Sequence, residues 1–140
     1  MINNHKFPKC FPANFEQDIL PKNIEFKSYK AYRILKLGKL DRTAFISTFE
    51  EFKDLAFKPR GYNPNSAGTY STSVFSDFQE TKNILKLICR HFPRPRISEG
   101  STETECGPCK RDNNSSHIDW WIFEDASPEK FFKVVEQDEA

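Results

Sequence analysis

Hydrophobic and polar positions change rhythm several times along this chain, and each change marks an element. From Ile24 to Leu37 the segment IEFKSYKAYRILKL alternates over much of its length, with Phe26, Ser28, Lys30, Tyr32 and Ile34 on one side and Tyr29, Ala31, Arg33 and Leu35 on the other. A period of two predicts a strand, stopped at Gly38. Beyond it, DRTAFISTFEEFKDLAF spaces Phe45, Phe49, Phe52 and Ala56 by four, three and four, as one face of a helix does. Asp41 is available to cap that helix, and Ser47 with Glu50 forms a second, internal capping-box pattern. KPRGYNPNSAG reads as a loop by its Pro, Gly and Asn content. The strand-like GTYSTSVF that follows places Ser71 and Ser73 on one face and Thr72 on the other.

SDFQ at 76–79 matches a Ser-x-x-Gln capping box, and Phe78, Thr81, Leu85, Ile88 and Phe92 describe an amphipathic helix that PRP brings to an end. RISEGSTE and HIDWWIFE are two further strand candidates separated by the polar CGPCKRDNNSS loop, and SPEKFFKVVE closes the chain as a short helix or strand beginning at Ser127. Residues 1–23 hold three prolines and no periodicity, so they predict an irregular arm pinned by Phe7, Phe11 and Phe15, ahead of one domain over 24–140. The expected fold class is α+β: a small, mainly antiparallel sheet of four to six strands with two principal helices packed on it.

Composition sharpens this picture. The 140 residues suit a single core, and 14 Phe, 4 Tyr and 2 Trp make that core aromatic. Twenty-one basic and twenty acidic residues leave a net charge of +1, which supplies no field to draw the chain onto nucleic acid or an acidic membrane. Lys58, Arg60, Arg90, Arg94, Arg96, Lys110 and Arg111 are too scattered to be read as a nucleic-acid patch. With no apolar run of membrane-spanning length and no signal-like N-terminus, the expected location is the cytoplasm. Cys10, Cys89, Cys106 and Cys109 are accordingly read as reduced thiols, although they would make two disulfides in an exported protein.

Candidate chemistry begins with CGPCK at 106–110, which resembles the redox site of thioredoxins. That chemistry places the first thiolate at a helix N-terminus after a buried strand, whereas here STETE precedes the motif and RDNNSS follows, so redox catalysis is not expected. Cys106 and Cys109 also suit half of a tetrahedral zinc set, to be completed by His117, Cys89, His91 or Cys10. No second Cys-x-x-C or His-x-x-x-His supplies the other half, and a metal is not expected.

A third constellation spans more of the chain. Arg33 lies in AYRIL, the Ser-Thr-Ser triplet follows in TYSTSVF, and Glu103 and Glu105 form a Glu-Thr-Glu beyond it. An arginine on a first strand, an aromatic-led Ser-Thr-Ser on a second and a later Glu-x-Glu resemble the R-S-E class of mono-ADP-ribosyltransferases, which bind NAD across a split antiparallel sheet. The resemblance implies that Arg33 clamps the dinucleotide and that Ser71 holds the catalytic carboxylate. It further implies that Glu105 is that carboxylate, that Glu103 positions the acceptor, and that Tyr70, Thr72, Ser73 and Trp121 support the NAD side. The chemistry suits these residue types: an arginine fork grips pyrophosphate, and a carboxylate offsets the charge that develops as the nicotinamide–ribose bond breaks.

HIDWW adds a fourth cluster. On a strand, His117, Asp119 and Trp121 share one face and Ile118, Trp120 and Ile122 the other, so Trp121 could stack on a flat ligand, or the tryptophans could be a buried pair beside a solvated His117–Asp119 pair. Asp119 and Glu124 are reserve carboxylates for the transferase reading. The rival to that reading is a non-catalytic module that recognises a protein partner or small ligand through an aromatic surface of Tyr62, Tyr70, Trp120 and Trp121. GTYSTS, CGPC and SHIDWW together also resemble small uncharacterised bacterial proteins associated with mobile elements, which implies a toxin, phage-defence or counter-defence setting.

Overall fold

A computed structural model describes residues 6–55 and 63–135, except the side chains of Asp54 and Leu55. Six strands, β1 (Lys30–Leu35), β2 (Thr72–Phe75), β3 (Arg96–Ser101), β4 (Cys109–Arg111), β5 (His117–Trp120) and β6 (Lys133–Val135), form one sheet in the order β4-β5-β2-β1-β3-β6. Every neighbouring pair is antiparallel. Two α-helices, α1 (Thr48–Leu55) and α2 (Phe78–Ile88), complete an α+β fold, as the periodicities predict.

Strand alternation assigns the two faces. Ala31, Leu35, Val74, Ile118 and Trp120 point into the main core, where Phe45, Phe132, Cys106 and Cys109 join them. The Trp120 and Phe132 rings stack with centroids 6.1 Å apart, and Phe45 meets Phe132 edge-on at 4.9 Å. On the opposite face Tyr32, Ile34 and Ile97 receive Leu85 of α2, with Phe78, Ile84 and Ile88 around it. The arm docks through a third cluster, in which Phe11, Phe15 and Leu20 enclose Tyr70 and Trp121. Its Phe15–Ile19 segment forms one π-helical turn rather than irregular chain. Among the described residues no helix is long and apolar enough to cross a membrane.

Several boundaries differ from the sequence expectation for identifiable reasons. The first helix starts at the internal capping box, where Ser47 N–H donates to Glu50 Oε1 (2.9 Å) and Glu50 N–H to Ser47 Oγ (3.1 Å). Residues 42–45 form only a 3-10 turn after Asp41. A continuous helix would need the carbonyls of Ala44 and Phe45 for its own ladder, but Arg33 Nε (2.8 Å) and Thr72 Oγ1 (2.7 Å) take them. Ala56, the last position of the expected apolar face, lies outside the described residues. The second helix is capped by Asp77, whose carboxylate accepts from Glu80 N–H at 2.8 Å, because Ser76 N–H is still paired with the Ser116 carbonyl. β1 is shorter than the alternation of 24–37, with Glu25 pairing separately with Cys109. The closing segment is both of its alternatives in turn, a 3-10 turn over Pro128–Phe131 and then β6.

β4 lies inside the segment expected to be a polar loop. Gly107, at φ +142°, makes it possible, since a Cβ there would collide with the Trp121 carbonyl. The Cys-Gly-Pro-Cys segment crosses the end of β5 and is tied to it at three points: Trp121 N–H to Pro108 O (2.9 Å), Phe123 N–H to Cys106 O (2.8 Å) and Trp120 Nε1–H to Gly107 O (3.1 Å).

Candidate functional site

The opposite face of the sheet carries apolar residues under α2 and polar ones beyond it. Pairing of β2 with β5 sets Ser73 against Asp119 and Phe75 against His117, and pairing of β4 with β5 sets Lys110 against Asp119. Ser71, Ser73, His117, Asp119 and Lys110 therefore share one side. Ser71 is completely buried, and its Oγ lies 2.6 Å from Asp119 Oδ1 and 2.9 Å from the Gly68 carbonyl. His117 Nε2 lies 2.9 Å from Ser73 Oγ and 3.6 Å from Asp119 Oδ1.

His117 and Asp119 floor a recess of about 210 Å³ completed by Lys110, Arg111, Asp112, Asn113 and Asn114. Its rim is the β4–β5 connection, which is held by its own side chains. Asp112 accepts from Asn114 N–H (2.9 Å) and Ser115 Oγ–H (3.1 Å), and these bonds keep its carboxyl below the usual range. Asn113 and Asn114 are exposed, while the Asp119 side chain keeps 27% of its surface. Among the described residues, Asp119 Oδ2 has no protein partner.

Serine, histidine and aspartate in contact invite comparison with a nucleophilic triad, and the geometry excludes it. In a triad the carboxylate meets one ring nitrogen and the serine the other. Here both approach Nε2, and the adjacent carboxylate favours the tautomer with its proton on that nitrogen, which makes Ser73 an acceptor rather than an activated nucleophile.

The residues of the R-S-E resemblance are not brought together. Arg33 shares its face with Ala31 and Leu35, opposite to Ser71 and Ser73, and its side chain is only 6% exposed. Its guanidinium is directed at the carbonyls of Ala44 (2.8 Å), Ser73 (2.9 Å) and Ile46 (3.5 Å) and at Glu51 Oε2 (3.2 Å), an internal clamp on backbone acceptors that the 3-10 turn leaves over. The Tyr32–Phe75 register sets Ser71 level with position 36, whereas Glu103 lies beyond Ser101, beside Ser28. Eight residues along a strand separate these levels by roughly 26 Å. Glu103 accepts from the hydroxyls of Ser28 and Ser101, and Glu105 is exposed next to Cys106.

The remaining candidates are structural. Tyr70 is buried with its hydroxyl on the Pro64 carbonyl (2.6 Å), Thr72 is buried on the Phe45 carbonyl, and Trp121 is buried with Nε1–H on the Ala67 carbonyl (3.0 Å). Trp120 and Trp121 are both completely buried, so neither they nor Tyr70 forms an aromatic surface, and Tyr62 lies outside the described residues. Burial pushes the Cys106 thiol up to about 11 and raises Cys109 as well, the reverse of what a reactive thiolate needs. All four cysteines are free, and among the described residues no group of three or more His, Cys, Asp or Glu is placed to hold a metal ion.

HIDWW held part of the signal for the polar floor, since its alternation groups His117 with Asp119. The partner strand was not encoded locally. Nothing in the local pattern marked Glu51, which meets Arg33 and Lys36 in a buried ion cluster. Comparisons with protein families, curated proteins and solved structures find no match in any of the three.

Proposed function

We propose that the chain is a non-catalytic binding domain whose ligand is small and hydroxyl-rich, such as a sugar or the ribose of a nucleoside, held in the recess over Asp119. One observation carries this reading. A carboxylate held through one oxygen by a fully buried serine lines a 210 Å³ recess with Lys110, Asn113 and Asn114 at the rim. Neighbouring hydroxyls of a sugar ring donate to such a carboxylate and accept from ammonium and amide N–H groups. The volume is below that of pockets for drug-sized ligands and suits a single ring. A rigid rim and a prepaired floor also reduce the ordering that accompanies binding.

The ADP-ribosyltransferase reading gains no comparable support, because Arg33 is committed inside the protein and Glu103 is bonded to Ser28 and Ser101, levels of the sheet away from Ser71. One titration separates the two. Amide chemical shifts are followed while monosaccharides, nucleosides and NAD are added at millimolar concentration, with nicotinamide release measured alongside. Shifts centred on Lys110, Asn114 and Asp119, weakened about tenfold by Asp119→Asn (about 1.4 kcal/mol) and without nicotinamide release, are expected. Unchanged spectra would remove the binding reading. Nicotinamide release abolished by Glu105→Ala would favour the transferase instead.

A further inference from the structure

The two edges of the sheet are finished differently. At the β4 edge the chain covers itself: Glu25 N–H donates to the Cys109 carbonyl (2.7 Å), Cys109 N–H to the Glu25 carbonyl (2.9 Å), and Arg111 N–H to Glu25 Oε2 (3.2 Å). The β6 edge pairs with β3, and among the described residues no further segment pairs with its other side. An edge strand turns alternate N–H and C=O groups away from its neighbour, so β6 offers a short row of open backbone positions. Beside it lies a shallow recess of about 490 Å³ lined by Lys30, Glu99, Gly100 and residues 130–133. Three lysines, Lys30, Lys130 and Lys133, stand there against a single carboxylate, and Glu99 is engaged by Lys30 (3.2 Å) and by the Tyr32 hydroxyl (3.2 Å). Lys130 and Lys133 make no hydrogen bond or ion pair among the described residues. Phe131 between them is 37% exposed, and Val134 and Val135 are only half-buried.

We propose that this edge is a docking site for an extended, acidic segment of a partner protein, which adds to β6 as a seventh strand. Its backbone takes the open N–H and C=O groups of β6, its carboxylates meet Lys130 and Lys133, and an apolar side chain lies on Phe131. Charge selects the occupant, because lysines on an edge disfavour a strand of like charge and favour one of opposite charge. Opposite charges at an exposed surface steer the encounter and choose the partner more than they add affinity, so the backbone row and Phe131 supply the hold.

The probe is a labelled eight-residue peptide of alternating glutamate and valine, added to the full chain and followed by fluorescence anisotropy and amide chemical shifts. Shifts centred on Gly100 and residues 130–135 are expected, with binding at least about tenfold tighter than that of the lysine–valine counterpart and about tenfold weakening by Lys130→Glu/Lys133→Glu. The fully N-methylated glutamate–valine peptide keeps the charges but has no backbone donors, and it should bind at least about tenfold more weakly. Equal binding of the N-methylated peptide, equal binding of the lysine peptide, or no shifts along β6 at millimolar peptide would overturn the proposal. Residues 136–140 of the chain carry Glu136, Asp138 and Glu139. Binding seen only after Glu136→Gln/Asp138→Asn/Glu139→Gln would mean that the chain's own acids fill the edge, and would overturn a partner protein as its occupant. The recess over Asp119 takes no part, so failure here leaves the binding reading as it stands.

Discussion

Ser71 Oγ and Asp119 Oδ1 are 2.6 Å apart, 48 positions apart in sequence, and the serine is completely buried while the aspartate reaches the surface. The bond joins β5 to the residue that ends the 3-10 turn over Ala67–Tyr70, so it both positions a surface carboxylate and fastens a loop. Ser71→Ala is expected to lower stability by about 1–2 kcal/mol, as for loss of a hydrogen bond to a charged group. In a double-mutant cycle with Asp119→Asn, urea unfolding should show a coupling energy of about 1 kcal/mol or more. Additive effects would mean that the pair does not hold in solution.

Arg33, Lys36 and Glu51 give the largest expected single-site effects. Removing Glu51 leaves the buried Arg33 and Lys36 cations without the carboxylate they share, so Glu51→Gln should cost about 3–5 kcal/mol in chemical denaturation, whereas Arg33→Met leaves Lys36 still paired with Glu51. Arg33→Met also strips donors from three backbone carbonyls, and Arg33→Met/Glu51→Leu should cost clearly less than the sum of the singles. An arginine reserved for a ligand would behave differently, with Arg33→Met changing ligand affinity at nearly unchanged stability.

What is legible in the sequence depends on the range of the interaction that sets each element. β1 and α2 announced themselves because one face of each is apolar at the right period, with Tyr32 and Ile34 on one side of the strand and Phe78, Leu85 and Ile88 along the helix. β4 did not, since three residues beside a polar loop have no periodicity and become a strand only by pairing with β5 and Glu25. Arg33, Ser71 and Glu103 looked like one site because their order along the chain matches a known pattern. Order says nothing of facing, and alternation had already placed Arg33 with Ala31 and Leu35. The Ser71–Asp119 contact depends on the β2–β5 register, which is a property of the assembled sheet.

Gly107 should tolerate no side chain. Its φ of +142° disfavours every L-residue, and a methyl group would drive into the Trp121 backbone, which cannot move aside as a flexible side chain would. Gly107→Ala is expected to cost more than about 2 kcal/mol by combined strain and steric overlap. Pro108, whose carbonyl receives Trp121 N–H, lies beside it, so hydrogen exchange at Trp121 and Phe123 should accelerate more than exchange in α2. Uniform acceleration across the chain would show that the crossing has no local role.

Cys106 links burial to an alkaline stability limit. Its thiol is pushed up to about 11 in the folded chain, against about 8.5 for an unfolded cysteine. Between those values the unfolded state has released its proton while the folded state retains it, so the unfolded state binds fewer protons and stability falls as pH rises. The contribution is complete below about pH 8.5 and is lost as pH climbs through the folded value, on the order of 3 kcal/mol across the window. Other groups titrate there too, so the measurement is a comparison: the fall in unfolding free energy between pH 8 and pH 10.5 should be smaller in Cys106→Ala than in wild type. Disulfide reagents at pH 8 should correspondingly modify the exposed Cys10 and Cys89 fast and Cys106 only at the rate of opening. Rapid modification of Cys106 in the native protein would mean that the Cys-Gly-Pro-Cys crossing opens far more readily than its three hydrogen bonds to Trp120, Trp121 and Phe123 allow.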